Sequence, residues 1–193
     1  MSQEKVDQIS KELKVQVQII GIIIAIFWSI EIINQYFFGD RLDAFGIVPR
    51  NIIGLRGIIL SPFLHADFNH LLANTFPFAI LGWFVMLQET RDFFIVSLFS
   101  MLFSGVGVWL FAQPYSITVG ASGVIFGYLG FLLFRGYFQR NIPSIALSLL
   151  VVFLYGGMIW GVLPSNPHVS WLAHLCGFIG GIWTAKKIAN QEL

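Results

Sequence analysis

Six apolar runs, at roughly 15–38, 69–88, 93–112, 119–135, 142–163 and 168–185, contain only two of the chain's Asp, Glu, Lys and Arg residues, Glu31 and Arg135. A helix crossing a bilayer needs about 20 mostly apolar residues, and each run is close to that length. Inside lipid the backbone must satisfy its own hydrogen bonds, so runs of this kind are expected to be helices. The rest of the composition agrees. Charged residues make up 11% of the chain, against about 25% in soluble domains, too few to cover a water-facing surface. An all-α integral membrane protein follows, as one bundle.

Several function classes drop out here. A net charge of +1 gives no electrostatic footprint for nucleic acid. The single cysteine, Cys176, excludes an intramolecular disulfide. The polar start "MSQEKVDQISKELK" leads into a run too long for a signal-peptide core, so a retained first span is expected. The division read from the sequence is a short segment 1–14, a six-span bundle 15–187 and a tail 188–193.

Basic residues orient the bundle. With the N-terminus inside, Lys5, Lys11, Lys14, Arg91, Arg135, Arg140, Lys186 and Lys187 fall on the inner side. Arg41, Arg50 and Arg56 fall outside, all in the first loop. Both termini are therefore expected in the cytoplasm, with the starts of the fourth and sixth spans facing outward. The segment "IIGLRGIILSPFL", 52–64, is apolar but too short to span, so it is expected in the interface or inserted sideways. The fourth run, closed by Arg135 at the inner boundary, covers only about 25 Å of a core about 30 Å thick. Ser122 at its outer end should lie in a recess below the membrane surface.

Strongly polar residues within spans are functional candidates. His70 and Asn74, in "HLLAN", are four apart and share a helix face; alone they serve equally well as interhelical glue. His65 falls on another face and is expected to brace the loop. His174 lies beside Ala173, and Ala173, Gly177 and Gly181 recur every fourth residue, as do Gly123 and Gly127 next to Ser122. Small residues at that spacing let two backbones approach closely. Packing the two ridges together would bring Ser122 and His174 within reach of one another. Histidine can accept the serine proton and return it to a leaving amine. His70, Asn74 and the Ser122 N–H could hold an oxyanion. No acid is placed to orient His174, so a Ser–His dyad is expected rather than a triad. Glu31, on the first span, is expected to pair with a polar group or reach the outer interface.

The set "HADFNHLLAN", "GASG" and "AHLCGFIGG", in that order on the second, fourth and sixth spans, resembles the rhomboid intramembrane serine proteases. The resemblance covers all six spans and implies the basic bacterial layout: a six-transmembrane-helix bundle with a long, partly membrane-embedded first loop. It implies Ser122 as nucleophile, His174 as base, and His70 and Asn74 at the oxyanion hole. His65, Gly120, Gly123, Phe126 and Gly177 take supporting places. It implies cleavage of transmembrane protein substrates within membrane lipid, without metal or cofactor, in a bacterial cell membrane, with the site opening outward. Two positions depart from the family. Arg56 lacks a preceding tryptophan, and Phe126 stands where a tyrosine is common. The competing readings are a rhomboid-like protein that binds membrane clients without cutting, and a small transporter. A transporter would spread polar residues from one side to the other, whereas here the inner halves read as almost wholly apolar.

Overall fold

The computed structural model describes residues 3–164 and 169–191. Six long helices dominate, at the six apolar runs. They are α1 (Gln3–Ile33), α3 (Phe68–Met86), α4 (Thr90–Phe111), α5 (Ser122–Gln139), α6 (Ile142–Tyr155) and α7 (Trp171–Gln191). A four-residue helix, α2 (Gly57–Leu60), lies in the first loop. Among the described residues there is no strand, only one isolated antiparallel bridge, Ile47 with Thr118.

Helix α5 stands at the centre. Its residues from Gly123 to Leu132 are all buried, as expected of a helix apolar on every side. Helices α3, α4, α6 and α7 pack around it. The outer helices do the opposite and present apolar side chains outward: Val17 is 65% exposed, Leu149 64% and Phe153 84%. Apolar patches of that extent are not left against water. With the apolar helix lengths, they identify an integral membrane protein. By length and hydropathy alone, Gln3–Phe38, Thr90–Phe111 and Ile142–Val162 qualify as spans. Helices α3, α5 and α7 are not among them; they carry polar residues, among them His70 and Asn74 on α3, Arg135 and Gln139 on α5, and Lys186 and Lys187 on α7.

Several boundaries differ from expectation. Helix α1 is already helical at Gln3. Helix α7 runs to Gln191, with Ile188 and Ala189 buried. Helix α5 runs four residues beyond Arg135 and begins only at Ser122, after Gly120 at φ +112°. That backbone region is closed to most side chains. Arg135 does not mark a wet boundary. Its side chain is 2% exposed, and its Nη1 lies 2.9 Å from a carboxylate oxygen of the fully buried Asp92. Arg135 Nε donates to Gln139, Gln139 accepts from Ser144, and Gln88 donates to Ser144. The end of the bundle away from Ser122, expected to be almost wholly apolar, thus contains a buried polar cluster joining α4, α5 and α6. Leu129, Phe131 and Leu132 lie fully packed between that cluster and Ser122.

The first loop is fastened across the C-terminal end of α4 and the 112–121 connection. Ile47 and Thr118 exchange backbone bonds at 2.9 and 3.0 Å. Arg50 donates to the carbonyls of Leu110 and Ala112, and Trp109 Nε1 donates to the Asn51 carbonyl. Asn34 donates to Asp43 at 3.0 Å and accepts from the Leu42 N–H. Burial raises the Asp43 carboxyl above its ordinary range, and the Asn34 bond opposes the shift. Arg56, without its tryptophan, stacks its guanidinium over Phe45 at 4.3 Å and donates to the Ala44 carbonyl. The apolar stretch Ile53–Phe63 is short and helical. It leans on α4 where Ile58 meets Gly105, with Ile52, Ile53 and Ile59 exposed.

Candidate active site

Ser122 is the first residue of α5 and is half-buried. The turn that presents it is held from outside the helix: the Gly120 N–H donates to the Ser61 carbonyl at 2.8 Å, which ties the serine turn to the first loop. Within α5, Val124 and Ile125 both donate to the Ala121 carbonyl. The Ser122 N–H finds no acceptor among the described residues, as is usual for the first N–H groups of a helix.

The two glycine ridges meet face to face. A Cβ on Gly177 would land on the Gly123 carbonyl, and one on Gly181 on the Gly127 carbonyl. From the other side, Ser104 and Ser100 of α4 fill the space beside Gly123 and Gly127. This contact fixes α7 along α5 and carries His174 to the Ser122 end. The imidazole lies flat on Phe126, with ring centroids 4.0 Å apart and planes at 7°. Its Nδ1 is 2.9 Å from the carbonyl oxygen of Gly161. No hydrogen bond joins Ser122 to His174 among the described residues. Catalytic hydrogen bonds are often long without substrate.

His70 and Asn74 stand beside the serine turn, at Gly120. A Cβ on Gly120 would lie 2.7 Å from His70 Nε2 and 3.6 Å from Asn74 Nδ2, so only a glycine admits both side chains there. Asp67 caps α3 by accepting the His70 N–H at 2.8 Å. His70 Nδ1 accepts a long bond from the Ala66 N–H at 3.5 Å, which leaves Nε2 as the ring's donor in the neutral form. Asn74 donates to the His70 carbonyl at 3.1 Å and has a second amide hydrogen to give. His65 is fully buried between Phe27 and His70, with ring centroids 5.5 and 5.3 Å away. Glu31 is 1% exposed, one turn from Phe27, near Gln35 and facing Asp40, Asp43 and Asp67. It does not reach the interface.

Four of the groups that hold these side chains were not legible in the sequence. The carbonyls of Ser61 and Gly161 are backbone, which any residue offers. Ser100 and Ser104 sit in "FSMLFSG", four apart on one face, and that spacing was the one signal available. Among the described residues, no group of three or more His, Cys, Asp or Glu is arranged to hold a metal.

The rhomboid domain model matches residues 54–191. An uncharacterized protein of Mycobacterium tuberculosis is 37% identical over 177 residues, covering 88% of this chain and 73% of its own length. The putative rhomboid protease YdcA of Bacillus subtilis is 31% identical over 128 residues, 64% of this chain and 62% of its own. The rhomboid protease GluP of the same bacterium is 28% identical over 178 residues, 88% and 34%. A family model covering more than half the chain, laid over a serine turn and a histidine joined by glycine ridges, leaves one assignment: this chain belongs to the rhomboid family.

Proposed function

We propose that the chain is an intramembrane serine endopeptidase of six spans, with Ser122 as nucleophile and His174 as general base. One observation carries this reading above the others. The α5–α7 glycine contact and the Phe126–His174 stack bring the imidazole to the Ser122 end of α5, and His70 and Asn74 lie beside Gly120 of the serine turn. Ser122 Oγ attacks the scissile carbonyl carbon while its proton passes to His174. The resulting oxyanion accepts from the Ser122 N–H, His70 and Asn74. Collapse breaks the C–N bond, His174 protonates the leaving amine, and water then hydrolyses the acyl-enzyme. A transporter needs a path, and the fully packed Leu129, Phe131 and Leu132 offer none.

A fluorophosphonate probe tests the assignment. Labelling should be complete in the wild type and absent in Ser122→Ala. His70→Ala and Asn74→Ala should still be labelled, about 10²–10³-fold more slowly, the cost of losing one oxyanion donor elsewhere. Unchanged rates in both would make them packing residues.

The proposed setting is a cell membrane with both termini cytoplasmic and the site opening outward. Ser165, a natural probe position in the fifth loop, lies outside the described residues. Tyr115, 99% exposed between α4 and α5, replaces it. In a Cys176→Ser background, Tyr115→Cys should react with an impermeant thiol reagent from outside and Lys187→Cys only after permeabilisation. The opposite pattern would invert the topology. The proposed substrates are transmembrane segments cut near their outer ends after a small residue. Glycine or proline just downstream would assist, since they weaken helices by about 1 and 3 kcal/mol relative to alanine.

A further inference from the structure

We propose that the backbone carbonyl of Gly161 positions His174, in the place that an acidic side chain holds in a Ser-His-Asp triad. The inference rests on the reading of His174 as base and adds what orients it.

A carbonyl oxygen can only accept. The 2.9 Å contact with Nδ1 therefore puts the ring proton on Nδ1 and leaves Nε2 bare in the neutral imidazole. Nε2 is the nitrogen on the far side of the ring, the one free to take a proton from serine. The same tautomer is what the aspartate of a triad enforces. The carbonyl also keeps its negative end against the ring when the imidazolium forms.

The chain supplies this acceptor by an unusual route. After Tyr155, helix α6 tightens into a 3₁₀ segment, Gly156–Val162. Carbonyls in a last helical turn have no partner within the helix, so the one at Gly161 is free to turn to the histidine. The residue must also be glycine. A Cβ there would sit 2.6 Å from Phe126 Cζ and 3.5 Å from His174 Nδ1. Phe126 presses on one face of the imidazole, so the ring is fixed by a stack and an edge acceptor together. Gly157, four residues earlier in the same segment, has nothing within 4 Å of a Cβ. That makes it a control for substituting glycine as such.

The experiment uses the full-length protein in detergent with ¹⁵N-labelled histidine, the His174 signals assigned against His174→Gln. The wild type should show His174 with a pyrrole-type, protonated Nδ1 and a pyridine-type Nε2. Gly161→Ala should lose that pattern. Its kcat should fall by about 10²-fold with KM little changed, less than the roughly 10⁴-fold loss when a triad's orienting acid is replaced and the tautomer is wrong. Gly157→Ala should stay within about 2-fold of wild type, as a tolerated exposed glycine should. A wild-type His174 protonated at Nε2 overturns the proposal, while Ser122 labelling by the probe keeps the protease reading standing. A Gly161→Ala enzyme as active as Gly157→Ala overturns it as well. If Gly161→Ala does not fold, the wild-type tautomer alone decides. Wild-type protein that the probe does not label at Ser122 brings down the protease reading and this one with it.

Discussion

Ser122→Ala and His174→Ala are each expected to abolish cleavage of a membrane-embedded substrate while the protein remains folded and inserted. The serine turn is held by backbone, Gly120 to Ser61 and Val124 to Ala121, so losing the hydroxyl removes no structural bond. His174→Ala leaves Phe126 without its stacking partner and costs some packing, but the α5–α7 contact is made by glycines and persists. In a serine protease, removing the nucleophile or the base alone costs about 10⁶ in kcat, nearly as much as removing the whole set. A loss of at least about 10⁴-fold is expected here, with the double variant no worse than either single one. The measurement is cleavage of a purified transmembrane substrate in detergent or liposomes. Substantial proteolysis by purified Ser122→Ala would sink the assignment.

The second large effect lies at the other end of α5 and concerns stability. Asp92→Ala or Arg135→Ala strands a buried charge, because the partners are 0% and 2% exposed. Breaking a buried pair from one side typically costs about 3–5 kcal/mol, whereas an apolar pair of similar volume is often neutral or better. The single variants should unfold at markedly lower denaturant. Asp92→Leu combined with Arg135→Met should recover most of the loss and cleave substrate normally. The comparison requires reversible unfolding curves for the three proteins. A double variant as unstable as the singles would show that the rest of the cluster, Gln139, Ser144 and Gln88, depends on the charges. Equal stability of all proteins would show that the pair contributes nothing.

The half of the bundle around Ser122 and His174 was readable because its chemistry is written in side chains at helical spacing. Ala173, Gly177 and Gly181 against Gly123 and Gly127 predicted a close α5–α7 contact, and those glycines do meet backbone to backbone. The half around Arg135 was misread for a definite reason. Arg135 and Asp92 are 43 residues apart, and each looks like an ordinary boundary charge until folding places them together. Gln139 and Ser144 carry no pattern that separates a buried network from a wet loop. Helix α1 starts twelve residues before its apolar run, and α5 and α7 end four and six residues after theirs, because apolar content falls away before backbone hydrogen bonding does. Gly161 was invisible, since an accepting carbonyl has no residue type.

The glycine contact between α5 and α7 also bears on how the protein is made. Ser122 emerges from the ribosome well before the helix that carries His174, and α6 is synthesised in between. Until α7 inserts and seats its ridge, the serine has no base, and Gly123 and Gly127 face an empty groove. On the proposed reading, a nascent chain ending before Trp171 holds the serine without its base, and α7 completes the site only by seating its glycine ridge against α5.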